Sequence, residues 1–145
     1  EDRLQRAKKL GALGVIHADD PELSFKVDAL TGGEGPQVCC DGVGHPSVFR
    51  QCVDLVSPAG SIIILGMDGR QNDITEIEIF RKELTIVGSR MNSNLFPVVL
   101  DRMKQGLLRA EDILTHKFTI EDATKAFEMA VEQPEGFLKS IIMIE

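Results

Sequence analysis

The chain has 145 residues, of which 43% are hydrophobic and 27% are charged, with a formal net charge of −7. This composition is typical of a soluble globular protein with one real core, and no apolar run approaches the roughly 20 residues of a membrane helix. Scattered basic residues, a negative net charge and the lack of tryptophan and tyrosine argue against nucleic acid, so we expect neither a nucleic-acid nor a membrane partner.

Predicted helices and strands alternate along the first part of the chain. The pattern predicts a helix over residues 2–10, a strand over 15–19, a helix opened by Pro21 and ended by Gly32 and Gly33, a strand over 38–43, a helix over 47–56, and strands over 61–67 and 84–90. Residues 76–82 are ambiguous and favour a helix or an irregular turn. This alternation is typical of right-handed βαβ units in an α/β fold.

The pattern changes after about residue 91. It predicts a helix over 95–104 with Val98, Val99, Leu100 and Met103 inside, a strand over 115–119, a helix over 121–132 with Ala123, Ala126, Phe127 and Ala130 inward, and a strand over 138–144. A capping box is predicted at Thr119–Asp122, just before the second helix. We therefore predict two domains, residues 1–91 and 92–145, the second a helix-strand-helix-strand segment.

Three apolar runs between residues 37 and 90 end in glycine, and each run lacks polar alternation. Such runs are typical of strands buried on both faces of a parallel sheet. Glycine at the carboxyl end of these strands lets a ligand lie against bare backbone, and open parallel sheets bind ligands at that edge. The sequence therefore predicts a nucleotide-type crevice. Asp41, at one of these strand ends, is either part of it or only an acceptor of backbone hydrogen bonds.

The phosphate-binding turn of a nucleotide domain is missing. The nearest glycine cluster, at residues 32–35, follows a helix rather than a strand, and no acidic residue ends a second strand. The pattern therefore predicts a doubly wound Rossmann sheet that lacks its first two strands. In the strand order 3-2-1-4-5-6 this leaves the 38–43 strand with an open apolar edge, which favours pairing with a second chain.

The three cysteines, Cys39, Cys40 and Cys52, have no framework spacing, which favours a reducing, cytoplasmic compartment. A metal or redox site and small core residues are the two interpretations. No Cys-x-x-Cys pair exists, so the pattern favours the core.

Several segments, in this order, carry a resemblance to a known family. They are Ala7-Lys-Lys-Leu-Gly-Ala12, Cys40-Asp-Gly-Val-Gly44, Ala59-Gly60 with Gly66, Lys82-Glu-Leu-Thr-Ile-Val-Gly-Ser89 and Ile113-Leu-Thr-His-Lys-Phe118. Together they resemble the zinc-type medium-chain alcohol and polyol dehydrogenases. The segment Ser89-Arg-Met-Asn-Ser-Asn-Leu-Phe-Pro-Val-Val99 is most similar to the sugar-acid and polyol branch, such as L-galactonate, L-idonate and sorbitol dehydrogenases.

The resemblance implies an oxidoreductase that moves hydride between a secondary alcohol and NAD or NADP, with zinc polarising the alcohol oxygen. The resemblance covers the later part of the Rossmann domain and the C-terminal segment that runs back into the catalytic domain. The family's zinc ligands have no counterpart in this sequence. The resemblance therefore implies a C-terminal portion that is inactive alone, contains no catalytic side chain, and forms a homo-oligomer, one route being the strand at residues 84–89.

The resemblance also implies a cofactor-binding role for eleven residues. Arg3 is expected by the adenosine ribose, and Lys139 by the pyrophosphate. The adenine-ribose side is expected to be lined by Gly42, Val43 and Gly44, and the nicotinamide to be met by Leu65, Gly66 and Met67. The carboxamide is expected to be held by the backbone of Ser89 and Met91. Arg90 is the eleventh, and together with Asn92 it is also expected to face a polyol or carboxylate substrate. His116, in the returning strand, is interpreted as structural.

Two other functions remain open. One is a non-catalytic nucleotide-binding or oligomerising module, and the other is part of a zinc-free, quinone-reductase-like enzyme. The segments Thr115–Phe118 and Lys82–Ser89 favour the zinc-bearing branch over the quinone reductases.

Overall fold

A computed structural model describes residues 2–90 and 93–144. The helices are α1 (Asp2–Lys9), α2 (Leu23–Thr31), α3 (Pro46–Leu55), α4 (Glu76–Arg81), α5 (Phe96–Lys104) and α6 (Ala123–Glu132), and the strands are β1 (Val38–Asp41), β2 (Ser61–Ile64), β3 (Thr85–Gly88), β4 (His116–Thr119) and β5 (Ser140–Met143). The chain divides into two compact units, Ala7–Ser93 and Glu1–Arg6 with Asn94–Glu145. The assignment of separate roles to residues 1–91 and 92–145 stays a prediction.

The unit Ala7–Ser93 is built on a parallel sheet in the order β1-β2-β3. Cys39 lies opposite Ile62, which lies opposite Ile86. The prediction of a parallel α/β fold is therefore confirmed. The strands end earlier than predicted, at Asp41, Ile64 and Gly88, because the following residues leave the ladder to form loops.

The core of this unit lies between the sheet and α3. Val53 of α3 and Val56, just after its end, pack with Ile62, which has no exposed surface. Cys39, Ile64 and Ile86 pack against this cluster. The other face of the sheet carries side chains that alternate with these, since successive residues of a strand point to opposite sides. Val38 and Val87 on that face are 53% and 49% exposed, so the expectation of strands buried on both faces is wrong for the described residues.

The other unit contains a second parallel pair, β4 with β5, joined through α6. Ala126 of α6 is buried and Ala123 is half-buried, but Ala130 and Phe127 are exposed. The predicted inner residues of α5, Val98, Val99, Leu100 and Met103, are all at least 40% exposed. The predicted burial is therefore confirmed for Ala126 and in part for Ala123, but it is wrong for Ala130, Phe127 and the four residues of α5.

Two local predictions are also wrong. Residues 15–19 form no strand, because no described strand lies alongside to pair with them. Thr119 and Asp122 form no capping box, because a 3-10 turn over Ile120–Asp122 delays the start of α6 to Ala123. The ambiguous segment at 76–82 is helical, as α4.

Candidate functional site

Asp41 connects the loops that follow β1 and β2. Its carboxylate oxygen Oδ1 accepts hydrogen bonds from the backbone N–H groups of Val43 (2.9 Å) and Gly44 (2.8 Å). Its carbonyl oxygen accepts from Leu65 (2.8 Å) and Gly66 (2.9 Å). The residue is only 1% exposed, so these four bonds hold both loops from within. Asp41 therefore acts as a backbone acceptor, one of the two roles that the sequence left open.

Gly44 and Gly66 bring the two loops into direct contact. A Cβ atom on Gly66 would lie 2.1 Å from the backbone nitrogen of Gly44, and one on Gly44 would lie 2.5 Å from that of Met67. Gly44 also has a φ of +86°, where a side chain is strained. Both glycines are thus required by the contact between the loops themselves.

The loop pair borders open space at the carboxyl edge of the sheet. A cavity of about 450 Å³ is lined by Asp41, Gly44, Phe49, Ile64, Gly66, Met67, Asp68 and Asn72. The side chains of Val43, Leu65 and Met67 are 67%, 52% and 78% exposed at this edge. A Cβ atom on Gly42 or Gly88 would meet nothing within 4 Å. The edge therefore combines apolar side chains with free space, which suits the flat surfaces of a bound nucleotide.

The end of β3 adds the next part of this edge. The backbone N–H of Ser89 donates to the carbonyl of Ile64 (2.9 Å), which places Ser89 beside the end of β2. Ser89 and Arg90 are both exposed. The predicted contribution of Met91, together with that of Asn92, lies outside the described residues.

Arg3 and Lys139 belong to the other unit, and their predicted cofactor contacts stay predictions. Arg3 Nη2 donates to Gln133 Oε1 (3.2 Å). Lys139 has an exposed side chain, while its backbone carbonyl accepts from the N–H of Thr115 (2.9 Å). His116 stacks on Phe137 with ring centroids 5.5 Å apart, as expected of a structural histidine.

Arg50 links α3 to the segment after β2, a role that the sequence analysis missed. Its guanidinium donates to the carboxylate of Glu78 and to the carbonyl of Asp73 (3.1 Å). Glu78 also accepts from the backbone N–H and the hydroxyl of Thr75, both at 2.9 Å, which completes a capping box on α4. The Thr75-x-x-Glu78 spacing was a readable signal for it. The hydrogen bond from Arg50, and to a smaller extent the bonds from Thr75, lower the pKa of Glu78 to about 2.

Asp68, on the cavity wall, is paired with Arg70. Its Oδ1 accepts from the backbone N–H of Arg70 (2.8 Å) and its Oδ2 from the Nε of the same residue (2.8 Å). These bonds lower the pKa of Asp68 to about 2, so the carboxylate is ionised at neutral pH and its charge is balanced locally. Because the Arg70 side chain neutralises the Asp68 carboxylate, these two residues together give the cavity no strong net charge.

The sequence profile of the family described as "Zinc-binding dehydrogenase" matches residues 1–105, well over half of the chain. The chain belongs to this family. The parallel sheet and the resemblance drawn from the motifs agree with this assignment.

Several known proteins are similar to the chain over most of its length. The starvation-sensing protein RspB of Escherichia coli is 34% identical over 132 residues, covering 88% of this chain and 38% of that protein. The L-threonine 3-dehydrogenase of Bacillus velezensis is 33% identical over 131 residues, with 88% and 38% covered. A structure of an alcohol dehydrogenase (rspB) from E. coli, complexed with the cofactor NADH, superposes with a TM-score of 0.90 at 30% identity, covering 99% of this chain and 42% of that one. The chain thus spans about two fifths of the length of these relatives.

The zinc that gives the family its name finds no suitable ligand set in the part of the chain that the structure describes. No group of three or more histidine, cysteine, aspartate or glutamate side chains is placed to hold a metal ion among residues 2–90 and 93–144. Cys39 and Cys40 are adjacent in β1 and point to opposite faces of the sheet. These residues do not fit a zinc site, and we assign no chemical step to zinc in this chain.

No helix among the described residues is both long and apolar enough to span a membrane. A cytoplasmic location stays a prediction.

Proposed function

We propose that this chain forms part of the cofactor-binding half of a nicotinamide-dependent dehydrogenase that oxidises a secondary alcohol. The observation that carries the proposal is the pair of touching loops at Gly44 and Gly66, held by buried Asp41 at the carboxyl edge of a parallel sheet. The carboxyl edge is where open α/β sheets bind their ligands. A relative with 30% identity was solved with NADH bound, which supports the same class of ligand here.

In this proposal the exposed edge supplies contacts rather than chemistry. Gly42, Val43 and Gly44 border the adenosine side of the cofactor, Leu65, Gly66 and Met67 border the nicotinamide, and the backbone of Ser89 and Met91 holds the carboxamide. Arg3 and Lys139 pair with the ribose and the pyrophosphate, and Arg90 faces the substrate. The nicotinamide, when bound, accepts or donates the hydride, and the chain's residues orient it and exclude water from one side.

We further propose that residues 1–91 serve the cofactor and that residues 92–145 return towards a catalytic domain. The substrate is a secondary alcohol whose neighbouring carbon carries a second polar group, as in a polyol or sugar acid. This class is supported by the names of relatives: L-threonine 3-dehydrogenase, the erythritol/L-threitol dehydrogenase of Mycolicibacterium smegmatis and the (R,R)-butanediol dehydrogenase of Bacillus subtilis. NAD and NADP both remain candidates.

Titration with NADH tests the cofactor proposal. The chain contains no tryptophan, so the fluorescence of the nicotinamide is followed directly. We expect saturable binding that Gly42→Val weakens about tenfold, a loss of about 1.4 kcal/mol, because the new side chain occupies the space at the edge. Gly69→Val is the matched control, since a Cβ atom there also meets nothing within 4 Å. No saturable binding, or equal effects of both substitutions, would contradict the proposal.

A non-catalytic nucleotide-binding module is the second candidate, because the apolar sheet edge with its open space would hold a nucleotide without taking part in a reaction. The two candidates differ in turnover by the protein that contains this sequence. A dehydrogenase reduces NAD or NADP when supplied with a panel of polyols, threonine and butane-2,3-diol. A binding module retains NADH affinity but leaves every alcohol of the panel unchanged.

A further inference from the structure

Cys39 and Cys52 come together in the core of the unit Ala7–Ser93. Cys39 lies in β1 and is half-buried, while Cys52 lies in α3 and is 8% exposed. Both belong to the packed cluster between the sheet and α3. Cys40, the neighbour of Cys39 in sequence, is exposed on the other face of the sheet. The fold thus pairs two of the three thiols and separates the third.

The environment makes the two paired thiols chemically unequal. A hydrogen bond from the Cys52 thiol, with the nearby charge of Lys82, lowers the pKa of Cys39 to about 7. Lys82 Nζ is fixed at the end of α3 by the carbonyls of Val53 (2.8 Å) and Val56 (3.0 Å). The same hydrogen bond and burial raise the pKa of Cys52. Cys39 is therefore the thiol that ionises more readily and serves as the nucleophile, while Cys52 keeps its proton more firmly.

We propose that Cys39 and Cys52 form an oxidation site, at which a hydroperoxide converts the two thiols to an intramolecular disulfide between β1 and α3. The packed cluster between the sheet and α3 holds both residues, which supplies the geometry, and the partial exposure of Cys39 supplies access for a small oxidant. This proposal is independent of cofactor binding.

The chemistry takes place in two balanced steps. The Cys39 thiolate attacks one oxygen of hydrogen peroxide, the O–O bond breaks, and a sulfenic acid forms while hydroxide leaves and is protonated to water. The Cys52 sulfur then attacks the Cys39 sulfur, the S–O bond breaks, and the thiol proton leaves with the hydroxyl group as a second water. Two thiols and one peroxide give one disulfide and two waters.

The new bond would fix α3 to β1 two residues before Asp41. A disulfide holds its sulfurs about 2 Å apart, closer than two thiols in contact, so its formation draws the helix and the strand together. Asp41 organises both loops at the sheet edge, and the oxidation site therefore lies in the same strand as a residue of the candidate functional site.

Peptide mapping after peroxide treatment tests this proposal. The reduced chain is treated with hydrogen peroxide, its remaining thiols are blocked with N-ethylmaleimide, and it is digested with trypsin without reduction. Cleavage after Lys26, Arg50 and Arg70 places Cys39 and Cys40 on the peptide 27–50 and Cys52 on the peptide 51–70. We expect these peptides to be joined, with N-ethylmaleimide only on Cys40.

Single substitutions identify the bonded cysteine. Cys40→Ser is expected to retain the joined peptides, and Cys39→Ser to lose them, with circular dichroism confirming that each variant is folded. Joined peptides in Cys39→Ser would assign the bond to Cys40 and overturn the proposal. A Cys39–Cys40 disulfide, a dimer linked through Cys40, or labelled Cys39 and Cys52 in the treated wild-type chain would overturn it as well.

Discussion

Asp41 is the residue on which the candidate site depends most. It is a buried carboxylate that holds the Val43 and Gly44 N–H groups, and its removal would leave both donors without a partner. A buried unsatisfied polar group costs about 1–3 kcal/mol. We therefore expect Asp41→Ala to lower the free energy of unfolding by about 2–4 kcal/mol, since two donors are affected.

Urea denaturation measures this loss. Asp41→Asn is the matched control, because its amide oxygen can still accept both hydrogen bonds, although without the charge. We expect it to retain more than half of the stability that Asp41→Ala loses. If both substitutions cost the same, the hydrogen bonds at this position would not be the source of the stability.

Glu78 makes the stability of the fold dependent on pH. The bonds from Arg50 and Thr75 lower its pKa from 4.5 to about 2 in the folded chain. A carboxylate with a lowered folded pKa stabilises the protein above its unfolded pKa, and this contribution is lost as the pH falls through the folded pKa. We expect the free energy of unfolding to decline between pH 4.5 and about pH 2.

Urea denaturation at a series of pH values follows this decline. Glu78→Gln should be less stable than the wild type at pH 7 and should reduce the slope below pH 4.5, because the glutamine does not titrate. Glu76→Gln, in the same turn of α4, is the control and should keep the wild-type slope. An unchanged slope in Glu78→Gln would assign the acid sensitivity to other carboxylates.

At the scale of elements, Lys82 holds the end of α3 in place. Its ammonium donates to the carbonyls of Val53, Asp54 and Val56 at 2.8, 2.7 and 3.0 Å. Carbonyls at a helix C-terminus lack partners within the helix, and a cation there also offsets the helix dipole. We expect Lys82→Met to lower the free energy of unfolding by about 1–3 kcal/mol, because the apolar stem is kept while the charge-assisted bonds are lost.

Thermal denaturation compares this variant with Arg81→Met, which removes an exposed charge one residue earlier. The control should change the free energy of unfolding by no more than about 0.5 kcal/mol. Equal effects would mean that lost surface charge, and not the helix end, explains the result.

The strands and loops of the sheet illustrate what could and could not be predicted from the sequence. The parallel sheet was predictable, because three unbroken apolar runs ending in glycine have few other structural explanations. The failure at residues 15–19 has a physical reason: a strand exists only where a second strand pairs with it, and a local pattern carries no information on that partner. The two hydrogen bonds that the Asp41 carbonyl accepts from Leu65 and Gly66 could not be predicted for a similar reason, since they depend on where the loop after β2 lies in space.

The apolar faces of α5 and α6 show that the burial of a helix face is also hard to predict from sequence. Periodicity identifies which residues share a face, but burial needs a surface to pack against. Phe127 is 68% exposed and Leu100 is 56% exposed, although both have the expected spacing. Exposed apolar surface of this kind is typical of a face that contacts another surface.

At the scale of the whole molecule, we expect the outer edge of β1 to determine how the chain associates. Among the described residues no strand pairs with that edge, and the side chain of Val38 in the same strand is 53% exposed. An unprotected apolar strand edge favours pairing with another chain. We therefore expect the 145-residue chain to form oligomers heavier than its 16.0 kDa monomer as its concentration rises.

Light scattering over a concentration series, with reductant present so that Cys40 forms no disulfide, measures the mass. Val38→Lys should raise the dissociation constant of the oligomer at least about tenfold. The reason is that a lysine in an edge strand opposes pairing through its charge and the cost of removing it from water. Val131→Lys, on α6 and 84% exposed, is the matched control and should leave association unchanged. A wild-type mass of 16.0 kDa at every concentration would rule out edge pairing. Equal effects of both lysines would instead assign association to general apolar exposure, because the second substitution lies on a helix and not on the edge of β1.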